Sequence, residues 1–136
     1  MDKRLCLWDR GLVQCKDLVG HNGSISKVKV DSTNTAISAS YDSQLLVWNL
    51  DTLECAQGLF KGHKDAVLEF EWRNSLCVSG DRSGGVTWWD INTGTPVKTY
   101  VAHNGGVAKV AMASYEEYLI LTAGLKDGVV SIYDMR

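Results

Sequence analysis

The three histidines of this 136-residue chain fall at a nearly constant interval, His21, His63 and His103 being 42 and 40 residues apart. Their surroundings are alike: Gly20-His21-Asn22-Gly23, Gly62-His63-Lys64-Asp65 and Ala102-His103-Asn104-Gly105. A second feature keeps the same beat. An aromatic residue followed by Asp or Asn occurs at Trp8-Asp9, Trp48-Asn49, Trp89-Asp90 and Tyr133-Asp134, at spacings of 40, 41 and 44. A repeat of this size means small supersecondary units that cannot bury their apolar surface alone and must stack on one another. Every other residue is therefore read by its place in the repeat.

Within each unit, apolar residues lie four, seven and nine positions after the histidine: Ile25, Val28, Val30; Val67, Phe70, Trp72; Val107, Val110, Met112. Side chains on a strand alternate faces, so the change from even to odd offset predicts one inserted residue, a β-bulge, at the same place in each first strand. Two further strands follow as a hairpin in each unit. They are Thr35–Ser40 into Gln44–Trp48 across Tyr41-Asp42-Ser43, Leu76–Gly80 into Gly85–Trp89, and Tyr118–Thr122 into Val129–Tyr133 across Lys126-Asp127-Gly128. A fourth strand is expected over Glu54–Phe60 and Pro96–Val101, after turns at Asp51-Thr52 and Asn92-Thr93-Gly94. Pro96 cannot donate a ladder hydrogen bond, which places that strand at the sheet edge.

Composition narrows the function. With 45% hydrophobic and 22% charged residues the chain reads as an ordinary globular protein of one domain. A net charge of −2 gives no basic field for nucleic acid, and no apolar run is long enough to span a membrane. The start, MDKRLCLWDR, has too short an apolar run for a signal peptide. Cys6, Cys15, Cys55 and Cys77 have neither the spacing of a metal knuckle nor that of a secreted disulfide frame, so free thiols in an intracellular compartment, cytoplasmic or nuclear, are expected.

Four short antiparallel strands per unit, with a GH near the start and a WD closing the third strand, resemble the WD40 repeat family of β-propellers. The resemblance implies an all-β fold of four-stranded propeller blades covering nearly the whole chain. Residues 21–62 and 63–102 each read as a complete blade, residues 103–136 as three strands of another, and residues 4–20 as the end of a preceding one.

The resemblance also implies a hydrogen-bonded set in each blade, mapped here onto His21, Ser38, Asp42 and Trp48. Unit two keeps His63, Ser79 and Trp89 but has Ser83 six residues before the tryptophan. A weaker network is expected there, with Asp81 as a substitute and Ser83→Asp strengthening it or leaving it unaltered. Unit three keeps His103 and Asp127, but Ala123 falls at the hydroxyl position, Thr122 is displaced by one, and Tyr133 replaces tryptophan. Serine, histidine and carboxylate are also the parts of a hydrolytic triad. Repetition in every unit favours the structural role, since one exposed nucleophile with an oxyanion hole would suffice for catalysis. Gly80–Gly85 lacks the phosphate-loop pattern, and three histidines about forty apart without a cysteine pair do not make a zinc set, so neither cofactor nor metal is expected. Trp88 and Trp89 face opposite sides of one strand, which reads as core between blades.

Propellers close with about four to eight blades, so this chain is an arc. Closure requires further blades from the same or a partner chain, since open ends would expose apolar faces and cause association. A six-bladed homodimer leaves residues 4–8 competing with the strand ending at Tyr133, which favours the longer-chain reading. The expected function is a non-enzymatic scaffold for protein or peptide partners, the alternatives being a structural blade set within a larger assembly or a His/Ser/Asp hydrolase. The resemblance places Ser24, Ser26, Tyr41, Ala66, Leu68, Arg82, Gly106, Ala108 and Lys126 on one ring face. Two cations and an aromatic there point to an acidic or phosphorylated ligand paired with Arg82 in bidentate fashion.

Overall fold

The computed structural model describes residues 3–8, 11, 15–114 and 118–136, and only the backbone of 57–60; Asp9 lies outside the described residues. These residues form strands and turns, with no helix among them. Strands β1 (Leu5–Trp8) and β2 (Cys15–Leu18) make a two-stranded ribbon. A first sheet runs β3 (Ile25–Val30), β4 (Thr35–Ser40), β5 (Gln44–Asn49) and β6 (Glu54–Lys61), each strand antiparallel to the next. A second repeats the order with β7 (Val67–Arg73), β8 (Leu76–Asp81), β9 (Gly85–Asp90) and β10 (Thr95–Val101). The third holds β11 (Val107–Met112), β12 (Leu119–Gly124) and β13 (Val130–Asp134). Pro96 is the second residue of β10 rather than its first, and β10 is an edge strand.

The bulges lie where the parity of apolar positions requires them. The register shifts between Ile25 and Lys27, between Val67 and Glu69, and between Val107 and Lys109. One extra residue re-aims the side chains that follow it, so that β7 buries both Val67 and Phe70 and β11 both Val107 and Val110, on either side of the bulge.

Alternation along the strands sends successive side chains into different cores. Ile37, Ala39, Leu45 and Val47 of the first sheet pack on Val67, Phe70, Cys77 and Trp89 of the second. The other face of the second sheet, Val78, Val86 and Trp88, packs on Val107, Val110 and Ile120 of the third. Trp48 turns the opposite way from Val47 and closes on Leu18 of the ribbon with Ala36 and Leu46. Adjacent Trp88 and Trp89 thus serve two different interfaces. A buried indole removes about 200 Å² from water, on the order of 5 kcal/mol of apolar burial before the entropic cost of ordering is subtracted.

Close approach between the second and third sheets depends on two glycines. At Gly80 a Cβ would lie 2.5 Å from the Cβ of Val107. Gly84, with φ of +95°, turns its carbonyl to accept the Ala102 and His103 amides at 3.0 and 3.2 Å. Polar straps one repeat apart join the sheets as well: Ser26 Oγ donates to the Val67 carbonyl at 2.6 Å, and Arg73 Nη1 to the Ala113 carbonyl at 2.5 Å.

Candidate functional site

In the first sheet, His21 sits just before β3, Ser38 on β4, Asp42 in the β4–β5 turn and Trp48 on β5. An indole N–H can only donate and a carboxylate can only accept, which orders the chain of bonds when the imidazole is neutral. Trp48 Nε1 donates to Ser38 Oγ at 2.8 Å, the hydroxyl donates to His21 Nε2 at 2.7 Å, and His21 Nδ1 donates to Asp42 at 2.9 Å. Asp42 also accepts the amides of Asn22, Gly23 and Gln44. Burial by itself pushes the Asp42 carboxyl up, but these hydrogen bonds outweigh it and hold the group below the ordinary aspartate value.

The second sheet reaches the same end by exchanging two residues. Asp81 stands where the first sheet has Ser40, each paired with the residue just before the bulge of the first strand, and Ser83 stands where the first sheet has Asp42. Asp81 accepts His63 Nδ1 at 2.8 Å together with the Ser83 amide, the Ser83 hydroxyl and the Gly85 amide. Ser79 bonds His63 Nε2 at 2.6 Å and accepts from Trp89 Nε1 at 2.7 Å. Asp81 is thus the substitute that the sequence offered, and the expectation of a weaker network is corrected, since Asp81 receives four donors as Asp42 does. Asp81 is buried, and Ser83 has become a donor to it.

A second correction concerns unit three. Thr122 pairs with Val110 as Ser38 pairs with Val28, and its Oγ1 lies 2.8 Å from His103 Nε2. Nothing is displaced on β12. The additional residue lies in the following turn, six residues separating Ala123 from Val130 where five separate Ala39 from Leu45. Counting back from Tyr133 pointed to Ala123 for that reason. Asp127 accepts His103 Nδ1 at 3.1 Å and the Asn104 and Val129 amides.

These distances are those of a hydrolytic triad, yet Ser38 and Ser79 are each 0% exposed and already accept an indole N–H. No carbonyl carbon can approach either Oγ without removing the tryptophan above it. The arrangement satisfies buried polar groups and locks one hairpin onto the first strand.

The residues assigned to one ring face are less uniform than expected. Tyr41 is 51% exposed, and Ala108 and Lys126 are also open to solvent, whereas Ala66 and Gly106 are buried. Ser24 and Leu68 are half-buried, and Ser26 is occupied by the strap to Val67. Arg82 is not a bare cation: its Nε and Nη2 fork onto the two oxygens of Asp65 at 3.2 and 2.9 Å. The Arg82 guanidinium lowers the Asp65 carboxyl in return. Leu125, 56% exposed, joins this face beside Gly106 and Leu68. The apolar offsets used to read the sequence did not reach Leu125 or Asp65, which lie in turns.

Cys6, Cys15 and Asp17 lie on one face of the ribbon with their ligating atoms within 4.8 Å of one another. Strand pairing brings Cys6 together with residues nine and eleven positions further along the sequence. The hydrogen bond to Asp17 pushes the Cys6 thiol up to about 11, helped by desolvation, which keeps it protonated at neutral pH.

Stacked antiparallel sheets, a buried histidine network in each and no accessible nucleophile within those networks define a class: blades of a β-propeller built for rigidity. The family described as "WD domain, G-beta repeat" matches residues 12–49 and 94–134, and the chain belongs to the WD40 repeat family. It is 33% identical over 125 residues to the "U5 small nuclear ribonucleoprotein 40 kDa protein" of Dictyostelium discoideum, covering 88% of this chain and 34% of that one. It is 31% identical over 123 residues to the "Ribosome biogenesis protein WDR12 homolog" of Aedes aegypti, covering 88% and 28%. Among solved structures, the computationally designed Ika4 protein superimposes with a TM-score of 0.84 at 22% identity, covering 99% of this chain and 81% of that one. The chain thus spans about a third of the length of these curated relatives.

Proposed function

We propose that this chain is a non-enzymatic platform for protein or peptide partners, formed by WD40 blades that close with further blades into a ring. The observation that carries the reading is the contrast between the blades' two kinds of polar residue. The networks on His21, His63 and His103 are buried and fully paired, while the turns at the same end of the sheets expose Tyr41, Arg82, Leu125 and Lys126. Rigid blades with exposed turns present groups at fixed spacing, which lowers the ordering cost of binding. The relatives' names place them in a small nuclear ribonucleoprotein and in ribosome biogenesis, which supports an intracellular protein working inside assemblies.

The ligand chemistry that fits is an acidic or phosphorylated side chain. It takes over the Arg82 fork from Asp65, a short exchange of one carboxylate for another anion, while Lys126 adds charge and Tyr41 packs the neighbouring residue. An array of phosphorylated, acidic and neutral peptides probed with the chain tests this. Binding restricted to anionic peptides and reduced at least tenfold by Arg82→Glu and by Tyr41→Ala is expected. Retention of full affinity by both folded variants refutes the site.

A further inference from the structure

The innermost strands carry alternating charge at one register. Lys27, Glu69 and Lys109 each lie six residues after the repeat histidine, directly behind the bulge. Glu69 is buried and joins both cations, Oε1 taking the Lys27 ammonium and Oε2 the Lys109 ammonium, the latter at 2.9 Å. The lysines differ in what lies beyond them. The Lys27 side chain is 20% exposed and that of Lys109 is 60% exposed, because no described sheet follows the third.

The apolar part of the same face repeats the asymmetry. Strand register equates Ile37, Ala39, Leu45 and Val47 with Leu121, Ala123, Val130 and Ile132. The first quartet is buried under Val67, Phe70 and Trp89 of the second sheet. In the second quartet Val130 and Ile132 are 64% and 63% exposed. The open face of the third sheet therefore keeps the apolar quartet and the cation at the Lys27 register of the face that the second sheet covers, while Ala111 stands where that face has Lys29, the partner of Glu71.

We propose that the third sheet is closed by a repeat of the second sheet's kind, one bringing a carboxylate at the Glu69 register to Lys109 and a tryptophan onto Ile132. The inference rests on the blade reading above and adds the chemistry that selects the neighbour. A second copy of this chain does not meet that requirement. Its second sheet is covered on both faces, and its first sheet would set Lys27 against Lys109, a like-charge contact in a site that shields it from solvent. The occupant is a repeat outside these 136 residues, consistent with the third of the relatives' length that the chain spans.

The test extends the full chain after Arg136 with a copy of residues 93–102, to supply a fourth strand, followed by a copy of residues 63–102. A second extended chain, otherwise identical, carries Glu69→Lys in the appended copy only. Amide hydrogen exchange of β13 and its salt dependence are read in both. At least tenfold slower exchange at Val130 and Ile132 with the glutamate than with the lysine, the difference vanishing in Lys109→Met, is the expected result. Equal protection by both extensions overturns the charge selection while leaving the blade reading intact. Protection by neither means that the face does not accept a blade, and both readings fall.

Discussion

Replacing Asp81 by alanine tests whether the exchanged aspartate of the second sheet holds that sheet together. Its carboxylate receives four donors, of which the His63 Nδ1–H and the Gly85 amide belong to groups shielded from water. The two donors of Ser83 sit on an exposed residue and can turn to solvent. A stranded buried donor costs about 1–3 kcal/mol, so two of them give a loss of roughly 4 kcal/mol. For a chain of this size that is a fall in Tm of roughly 10 °C or more. The pH dependence provides an internal control. Burial raises the Asp81 carboxyl, but the bonds from His63, Ser83 and the Gly85 amide outweigh it and hold the group below 3.8 in the folded protein. A depressed folded value means that the stabilisation is complete above the unfolded value and is lost as pH falls through the folded one. Urea unfolding followed by tryptophan fluorescence from about pH 7 to about pH 2.5 should therefore show the gap between parent and Asp81→Ala narrowing only below about pH 4. A gap under about 1 kcal/mol at neutral pH, or one that does not narrow in acid, refutes the network as described.

Ser83→Asp should destabilise by about 1–2 kcal/mol in the same assay, since it sets a second carboxylate where the hydroxyl now donates to Asp81 at 2.7 Å. Any gain in stability would restore the reading based on repeat position alone. Trp89→Phe should cost roughly 1 kcal/mol more than Trp88→Phe, because Trp89 Nε1 donates to Ser79 while the buried Trp88 Nε1 has no partner among the described residues; denaturant midpoints of the two variants settle the order. Gly80→Ala should lower stability by about 1–3 kcal/mol by pressing a methyl onto Val107, and Val107→Ala in the same chain should recover part of the loss. Additive losses from the two changes would show that these residues are not in contact.

Much of this was legible because periodicity reports on backbone geometry. The parity change after each histidine located the bulges, and alternation along one strand placed Trp88 and Trp89 on opposite faces. What escaped depended on local turn length and on pairing across strands. One residue more between Ala123 and Val130 was enough to misassign Thr122, since a hairpin loop can absorb a residue without altering the ladder on either side. Asp81 was offered by the sequence as a substitute, but that Ser83 would turn into a donor to it depends on a contact across the turn that a count from the tryptophan does not report. The Arg82–Asp65 fork and the Lys27–Glu69–Lys109 series join residues 17, 42 and 40 apart, and single-chain spacing offers no charge rule at such distances.

Among the described residues, the second sheet is the one whose two faces are both covered by other three- or four-stranded sheets. The ladder amides of β8 and β9 can exchange with solvent only if both interfaces open or the whole chain unfolds, whereas those of the third sheet need one interface to part and the edge strand β10 needs neither. Native-state exchange should then grade along the chain, slowest at Val78, Ser79 and Trp88 and faster toward β13. Damage should be graded in the same way. A core substitution in β8 or β9 is felt through two interfaces and lowers global stability, while an equal change in β13 shows itself as local opening. The chain thus behaves as a short one-dimensional array whose cooperativity is set by its middle member.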